Sequence, residues 1–432
     1  MLRTAPLRAT DHDDPAASTD APRRGLILWC RRDQARFVER IVQTLGIDVL
    51  RVGFTPAAAR PDQSAHTDDE RPPFPEAERF DDLRHAVTSS TAAALLLADA
   101  SPSSAGSASA KADDSPLDDP SFLRLCFERR MRLVSFEPAP ASLERLSAVE
   151  AAEKDERSET APLLAHARLF GDVRELLPHL GTLRTAVFTS RAAPAHGSLA
   201  ARLFDAMAAL HALMGLPDRI DCAITPSWAG SASVGALPSG AGKPHSMRTL
   251  SGHATAHLRY PGGQSAAVAL SNQAGPWFRG LTLLGDRATL RLSDDALELL
   301  SPTGEPLERS DGRAARPRLQ QDDPEHHDPV PAREAPTSHT NKSERRKPDD
   351  AGSPTLFAPV DAESAAAKKP PTDPAVAVFA EELRRVLDPG IRPAVRVDRA
   401  ETLAMCETAL LSSRTGNPEH TQTLLNISGA RR

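Results

Sequence analysis

Tyrosine occurs once in this sequence and tryptophan three times, against 38 prolines, and aromatic residues make up only 4% of the 432. A chain so poor in aromatics has to build its core from Ala, Leu and Val, and one so rich in proline carries stretches with little to bury. The four cysteines, Cys30, Cys126, Cys222 and Cys406, are widely separated with no CxxC spacing. That argues against a zinc ribbon or a disulfide framework and reads as buried thiols in a reducing compartment. No run reaches about eighteen apolar residues, so no membrane span is expected. The segment 1–24 contains acids and no apolar stretch of the kind a signal peptide needs. A net charge of -6 and a pI near 6.2 give no electrostatic reason to meet nucleic acid or an anionic membrane. The expectation is a cytoplasmic protein of two domains with disordered segments.

What is present is an alternation of apolar strands and amphipathic helices. Gly25–Cys30 (GLILWC) is a short apolar run bounded by charge, as a fully buried strand would be. Val38, Ile41, Val42 and Leu45 recur at helical spacing, Gly46 closes that helix, and Asp48–Phe54 (DVLRVGF) gives a second strand. A helix over 80–87, a strand over 92–97, a helix over 122–130, a strand over 132–136 and a helix over 141–153 continue the pattern. The alternation predicts an α/β amino-terminal, Rossmann-like domain with a parallel, doubly wound sheet over 25–155, a disordered loop at 101–120 and a disordered tail at 1–24.

Past residue 184 the pattern changes. A strand over 185–190 and the long helix Leu199–Met214 lead into β-rich sequence. Thr249, Ser251, His253, Thr255, His257 and Arg259 alternate with Leu250, Ala254, Ala256, Leu258 and Tyr260, one polar face and one buried. Strands over 266–271, 281–284 and 288–292 follow, with turns at Pro261-Gly262-Gly263 and Gly285-Asp286. These predict an α+β domain with an open, mainly antiparallel sheet over 160–302, resumed at 375–416 by helices over 376–387 and 400–411. The proline-rich, charged stretch 303–374 reads as a disordered insertion and 417–432 as a tail.

A dinucleotide site needs glycines after the first strand, so that backbone can approach a pyrophosphate at a helix N-terminus. The turn here is Cys30-Arg31-Arg32-Asp33-Gln34, with no glycine. Arg31 and Arg32 are either a charged clamp for phosphates or a solvated turn. The second strand ends in Phe54-Thr55-Pro56, where an acid would bind ribose hydroxyls. Other constellations are weaker. His253 and His257 share a strand face but lie about 13 Å apart at roughly 3.3 Å per residue, too far to chelate one metal ion. His211 reads as a packed or surface residue, and His326-His327 sits among acids in the insertion. The Gly-rich run 230–243 ends in Lys243-Pro244, where a phosphate loop requires Ser or Thr. No metal site is expected.

Two segments resemble signatures of the Gfo/Idh/MocA (glucose-fructose oxidoreductase, inositol dehydrogenase) family. Residues 134–144, VSFEPAPASLE, are similar to the family's strand ending in Glu-Lys-Pro before a helix that begins at Thr or Ser. A gapless match places Phe136, Glu137 and Pro138 on that tripeptide. Residues 197–215, GSLAARLFDAMAALHALMG, are similar to its helix with Gly-x-His-x-x-Asp before a closing Leu-x-Gly, which puts Leu203, Asp205 and Ala208 on the three functional positions. The hairpin LTLLGDRATLRLSDD and the tail SSRTG are also similar to family segments, so the resemblance spans roughly 25–416 outside the insertions.

The resemblance implies NAD or NADP as cofactor, with Arg31, Arg32 and Pro138 at cofactor-contacting positions. It places Glu137 and Asp205 where the family has its catalytic Lys and His. Hydride transfer needs a cation or tuned acid/base to polarise the reacting oxygen, and two carboxylates do not supply one. They are either bases or a shared cation site facing each other across the domain cleft, or drifted positions serving as helix caps and solvated charges. With glycines, Lys, His and Asp all replaced, the expectation is a catalytically degenerate member that binds a small hydroxylated ligand or a partner. The alternative is an active NAD(P)-dependent oxidoreductase on a sugar, polyol or related hydroxyl substrate, with displaced catalytic groups. The open sheet implies a homo-oligomer.

Overall fold

The computed structural model describes residues 25–55, 72–100, 115–153, 158–226, 247–311, 373–388 and 390–428. The tail 1–24, the stretch 101–114 of the expected loop, the Gly-rich run 230–243, residues 312–372 with His326-His327, and 429–432 lie outside the described residues.

The first half runs β1 (Gly25–Cys30), α1 (Ala35–Leu45), β2 (Asp48–Phe54), β3 (Glu78–Phe80), α2 (Leu83–Ser89), β4 (Ala94–Leu97), α3 (Pro120–Glu128), β5 (Arg132–Ser135), α4 (Leu143–Glu153) and β6 (Glu159–Thr160). All neighbours in this sheet pair in parallel, in the order β3-β2-β1-β4-β5-β6. β1 is apolar without alternation because both of its faces are covered. Leu26, Leu28 and Cys30 pack into a core with Val38 and Ile41 of α1, whereas Ile27 and Trp29 enter a second core with Leu83 and Phe122. Helix ends follow local chemistry. The Asp82 carboxylate accepts from the Arg84 and His85 amides at the start of α2, and Gly46, at φ 63°, closes α1 in a left-handed conformation that a side chain would strain.

The second half comprises α5 (Arg168–Leu176), β7 (Leu183–Arg191), α6 (Leu199–Met214), β8 (Arg219–Pro226), β9 (Gly252–Arg259), β10 (Ser265–Ser271), β11 (Phe278–Gly285), β12 (Thr289–Ser293), β13 (Ala296–Leu300), β14 (Pro306–Asp311), α7 (Pro374–Leu387), α8 (Arg399–Thr415), β15 (Glu419–His420) and α9 (Thr421–Ser428). Nine strands form one sheet, β14-β13-β12-β11-β7-β10-β9-β8-β15, antiparallel except for the parallel pair β7/β10. β9 alternates buried and exposed residue by residue, so one face meets a core shared with α5, α6 and α8 and the other faces outward. The fold is thus an α/β, Rossmann-like sheet plus a mainly antiparallel second sheet, and both belong to one compact unit.

Four elements depart from the sequence expectation. β14 lies at the start of the stretch expected to lack order, and its Leu307 is 61% exposed; backbone pairing with β13 holds it, not side-chain burial. β15 and α9 occupy the expected tail, the former paired with β8. Helix α7 returns to the first sheet, where Val376, Phe379, Ala380 and Leu383 join the core of β1 and α1. Among the described residues, no helix is long and apolar enough to cross a membrane.

Candidate functional site

In a doubly wound sheet, ligands sit where the strand order reverses, at the carboxyl ends of the strands. Here that point is the crevice between β1 and β4. The turn after β1 folds as a short 3-10 segment over Arg32–Gln34, and the side chains of Arg31 and Gln34 are committed to the protein. Gln34 is fully buried; its Oε1 accepts from the Arg31 amide at 3.1 Å and its Nε2 donates across the crevice to the Ala98 carbonyl at 3.1 Å. Arg31 donates to Asp33 at 3.1 Å and to the Pro194 carbonyl at 2.7 Å, with Asp99 at 3.6 Å. Arg32 is exposed, its guanidinium 5.9 Å from the Phe54 ring centre. At the end of β2, the Thr55 amide donates to the Cys30 carbonyl, and no acid stands there for a ribose.

Deeper in the same crevice lies an aromatic cluster. Phe37 of α1 lies tilted against His196 with centroids 4.5 Å apart and meets Phe379 of α7 at 5.0 Å; Phe136 lies 4.6 Å and Trp277 5.3 Å from Phe379. All five residues are buried. Burial pushes the His196 imidazole down to about 4, with Arg202 and Arg40 adding to the effect against Asp373, so it is neutral at physiological pH. Gln34 thus spans from the β1–α1 turn to the end of β4, and Phe37, Phe136, Trp277 and Phe379 belong to the core of β1 and α1.

The two carboxylates singled out in the sequence are both buried, but they do not meet. Glu137, at the end of β5, accepts from the Ser198 amide at 3.0 Å and from the Ser198 hydroxyl, and so sits on the N-terminus of α6, whose dipole favours an anion. Burial nevertheless raises its carboxyl above the usual range, against the Ser198 hydrogen bonds and Arg248. Pro138 is buried beside it. Asp205 lies seven residues along the helix from Ser198, about 10 Å at 1.5 Å per residue. Its Oδ1 accepts from the Leu164 amide at 2.6 Å and its Oδ2 from Arg279 Nη1 at 3.0 Å. Arg279 also pairs with Asp294 at 2.6 Å, and Asp294 accepts from Trp277 Nε1 at 2.7 Å. The expected facing pair is therefore replaced by a helix cap and a separate buried ion-pair network. Neither carboxylate is left with both oxygens free for a cation or a substrate proton. Among the described residues, no group of three His, Cys, Asp or Glu is placed to hold a metal ion.

Sequence reasoning missed Arg202, His196, Trp277, Arg279 and Phe379. Arg202 is fully buried, its guanidinium 4.3 Å from the Trp277 ring centre and donating to the His196 carbonyl at 2.5 Å. Burial draws its pKa down to about 10, with Asp205 opposing. Burial also works against the Arg279 guanidinium, but Asp205 and Asp294 outweigh it and raise its pKa. A signal for Arg202 was present: it and Asp205 are the only charges other than His211 in the sixteen residues of α6, three apart on one face.

No protein-family model matches the chain, and no curated protein matches it. Solved structures do. An oxidoreductase from Agrobacterium radiobacter, in complex with NAD+, L-tartaric acid and magnesium, superposes with a TM-score of 0.51 at 13% identity, covering 93% of this chain and 99% of that chain. GenD2 from gentamicin A biosynthesis, in complex with NAD, gives 0.54 at 12% identity over 94% and 99%. An oxidoreductase from Thermotoga maritima gives 0.50 at 12% identity over 93% and 100%. At such identities the likeness shows the fold alone, and function has to be argued from the site.

Proposed function

We propose that this chain is a catalytically degenerate relative of the Gfo/Idh/MocA oxidoreductases that acts by binding a ligand or partner. The observation that carries the reading is the Gln34 side chain hydrogen-bonded across the β1–β4 crevice to Ala98. Arg31, held by Asp33 and Pro194, and the capped Glu137 support it, because each committed group would have to be released before a cofactor or substrate could use it. For a partner, the same reading takes the outward face of the nine-stranded sheet as the surface for a second copy of the chain. There Val187, Phe278 and Leu284 are 37%, 42% and 38% exposed on adjacent strands β7 and β11.

The test is calorimetric titration of the full chain with NAD+ and NADP+. Dissociation constants no tighter than about 1 mM are expected, a binding free energy of only about 4 kcal/mol. A micromolar constant for either would overturn the reading in favour of a working NAD(P)-dependent oxidoreductase with displaced catalytic groups.

A further inference from the structure

Beside the Arg279–Asp294 pair is a cavity of about 480 Å³ between the segment 162–168, α7 and the loop 391–394. Its volume is that of a small-molecule site. One wall is a buried ladder of charges: His166 Nδ1 lies 2.9 Å from Glu382, and Arg385 bridges Glu382 at 2.8 Å and Glu159 at 2.7 Å. Arg385 Nε is buried with no hydrogen-bond partner among the described residues. Leu163, Val378 and Ile391 supply apolar surface.

Arg168, Arg279, Arg384, Arg385 and Arg392 line the cavity against Asp294, Glu381 and Glu382. Asp294 is taken by Arg279 and Glu382 by Arg385. Arg384 and Arg392 are exposed, and Glu381 is the remaining carboxylate of the lining. Arg384 and Arg392 make no ion pair among the described residues. Two guanidinium groups without an ion pair, set beside apolar residues, can hold an anionic head group while the apolar surface shelters its body.

We propose that this cavity binds a small organic anion, its carboxylate or phosphate held by Arg384 and Arg392 and its apolar part laid against Leu163, Val378 and Ile391. The proposal goes beyond the degenerate-enzyme reading and does not depend on it, since none of Arg31, Gln34 and Glu137 lines this cavity.

Phenyl phosphate, phenol and inorganic phosphate are the probes, titrated calorimetrically into the full chain at low ionic strength. Phenyl phosphate is expected to bind with a sub-millimolar constant, more tightly than either of its halves, and to weaken as salt is added. The double variant Arg384→Gln/Arg392→Gln alters two exposed side chains, so it is expected to melt as the parent does and to bind phenyl phosphate on the order of tenfold more weakly. Absence of binding up to about 10 mM, roughly 3 kcal/mol of affinity at most, overturns the proposal. So does undiminished binding by the double variant. Inorganic phosphate binding as tightly as phenyl phosphate removes the apolar subsite and overturns it as well. Tight NAD+ binding would end the degenerate-enzyme reading and leave these outcomes where they stand.

Discussion

Arg279 joins two carboxylates from different elements, Asp205 on α6 and Asp294 just after β12. A buried ion pair contributes little net stability when intact, but removing one partner leaves uncompensated charge in a medium that solvates it poorly. Arg279→Met keeps the approximate length of the side chain and strands both carboxylates. The expected loss in urea unfolding at neutral pH is about 3 to 5 kcal/mol; a loss below about 1 kcal/mol, typical of surface pairs, would sink the argument. His196 makes a different residue-scale case, through protons. Its folded pKa of about 4 lies below the ordinary 6.5, so between those values the unfolded chain binds the proton that the folded chain refuses. Its contribution is therefore fully present above pH 6.5 and is lost as pH falls towards about 4. His196→Phe keeps a ring against Phe37 and removes that titration. Its stability should fall less steeply than the parent's between pH 6.5 and 4, and parallel curves from urea melts across that window would refute the assignment.

Element by element, the sequence was legible wherever burial writes a period. β1, β2 and α6 have the bounds that composition and spacing predict, because an apolar run flanked by charge, a glycine stop at Gly46, and Ser198 before a long Ala/Leu helix are all local signals. β3 and β6, of three and two residues, are too short to show a period, and β14 is ordered by its ladder, so none of them announces itself. The site divides along the same line. The absence of glycine from the β1–α1 turn could be read directly. That Gln34 crosses to Ala98 could not, since a turn sequence does not reveal which strand end its side chains will meet. The motif match fixed Asp205 on α6 but not what lies opposite it: the neighbour is Arg279 of β11, brought there by sheet pairing, and Glu137 is held at the other end of the helix by Ser198. Sequence placed 375–416 with the second sheet, yet the buried apolar residues of α7 join the core of β1 and α1, a choice that depends on surfaces formed only in the folded chain.

Across the whole molecule, the two sheets are joined by more than a linker. Phe136 at the end of β5, His196 after β7, Trp277 before β11 and Phe379 on α7 pack into one cluster, so residues flanking second-sheet strands enter the first-sheet core there. Buried ion pairs add further ties: Arg399 of α8 to Glu153 of α4 at 2.6 Å, and Arg248 to Asp118 at 3.0 Å. Enzymes that close over a substrate need hinge segments able to move, with few buried contacts to break. Here opening the junction would expose large aromatic side chains and strand buried charges, so the two halves should unfold together. Scanning calorimetry is expected to give one transition with equal calorimetric and van't Hoff enthalpies. Phe379→Ala removes the ring that touches three others and should cost about 3 to 5 kcal/mol. If the junction couples the halves as argued, this variant lowers the single melting temperature without dividing the transition, because each sheet loses the support of the other. Two resolved transitions in the parent chain would show that the sheets are independent domains and that the cluster is an incidental contact.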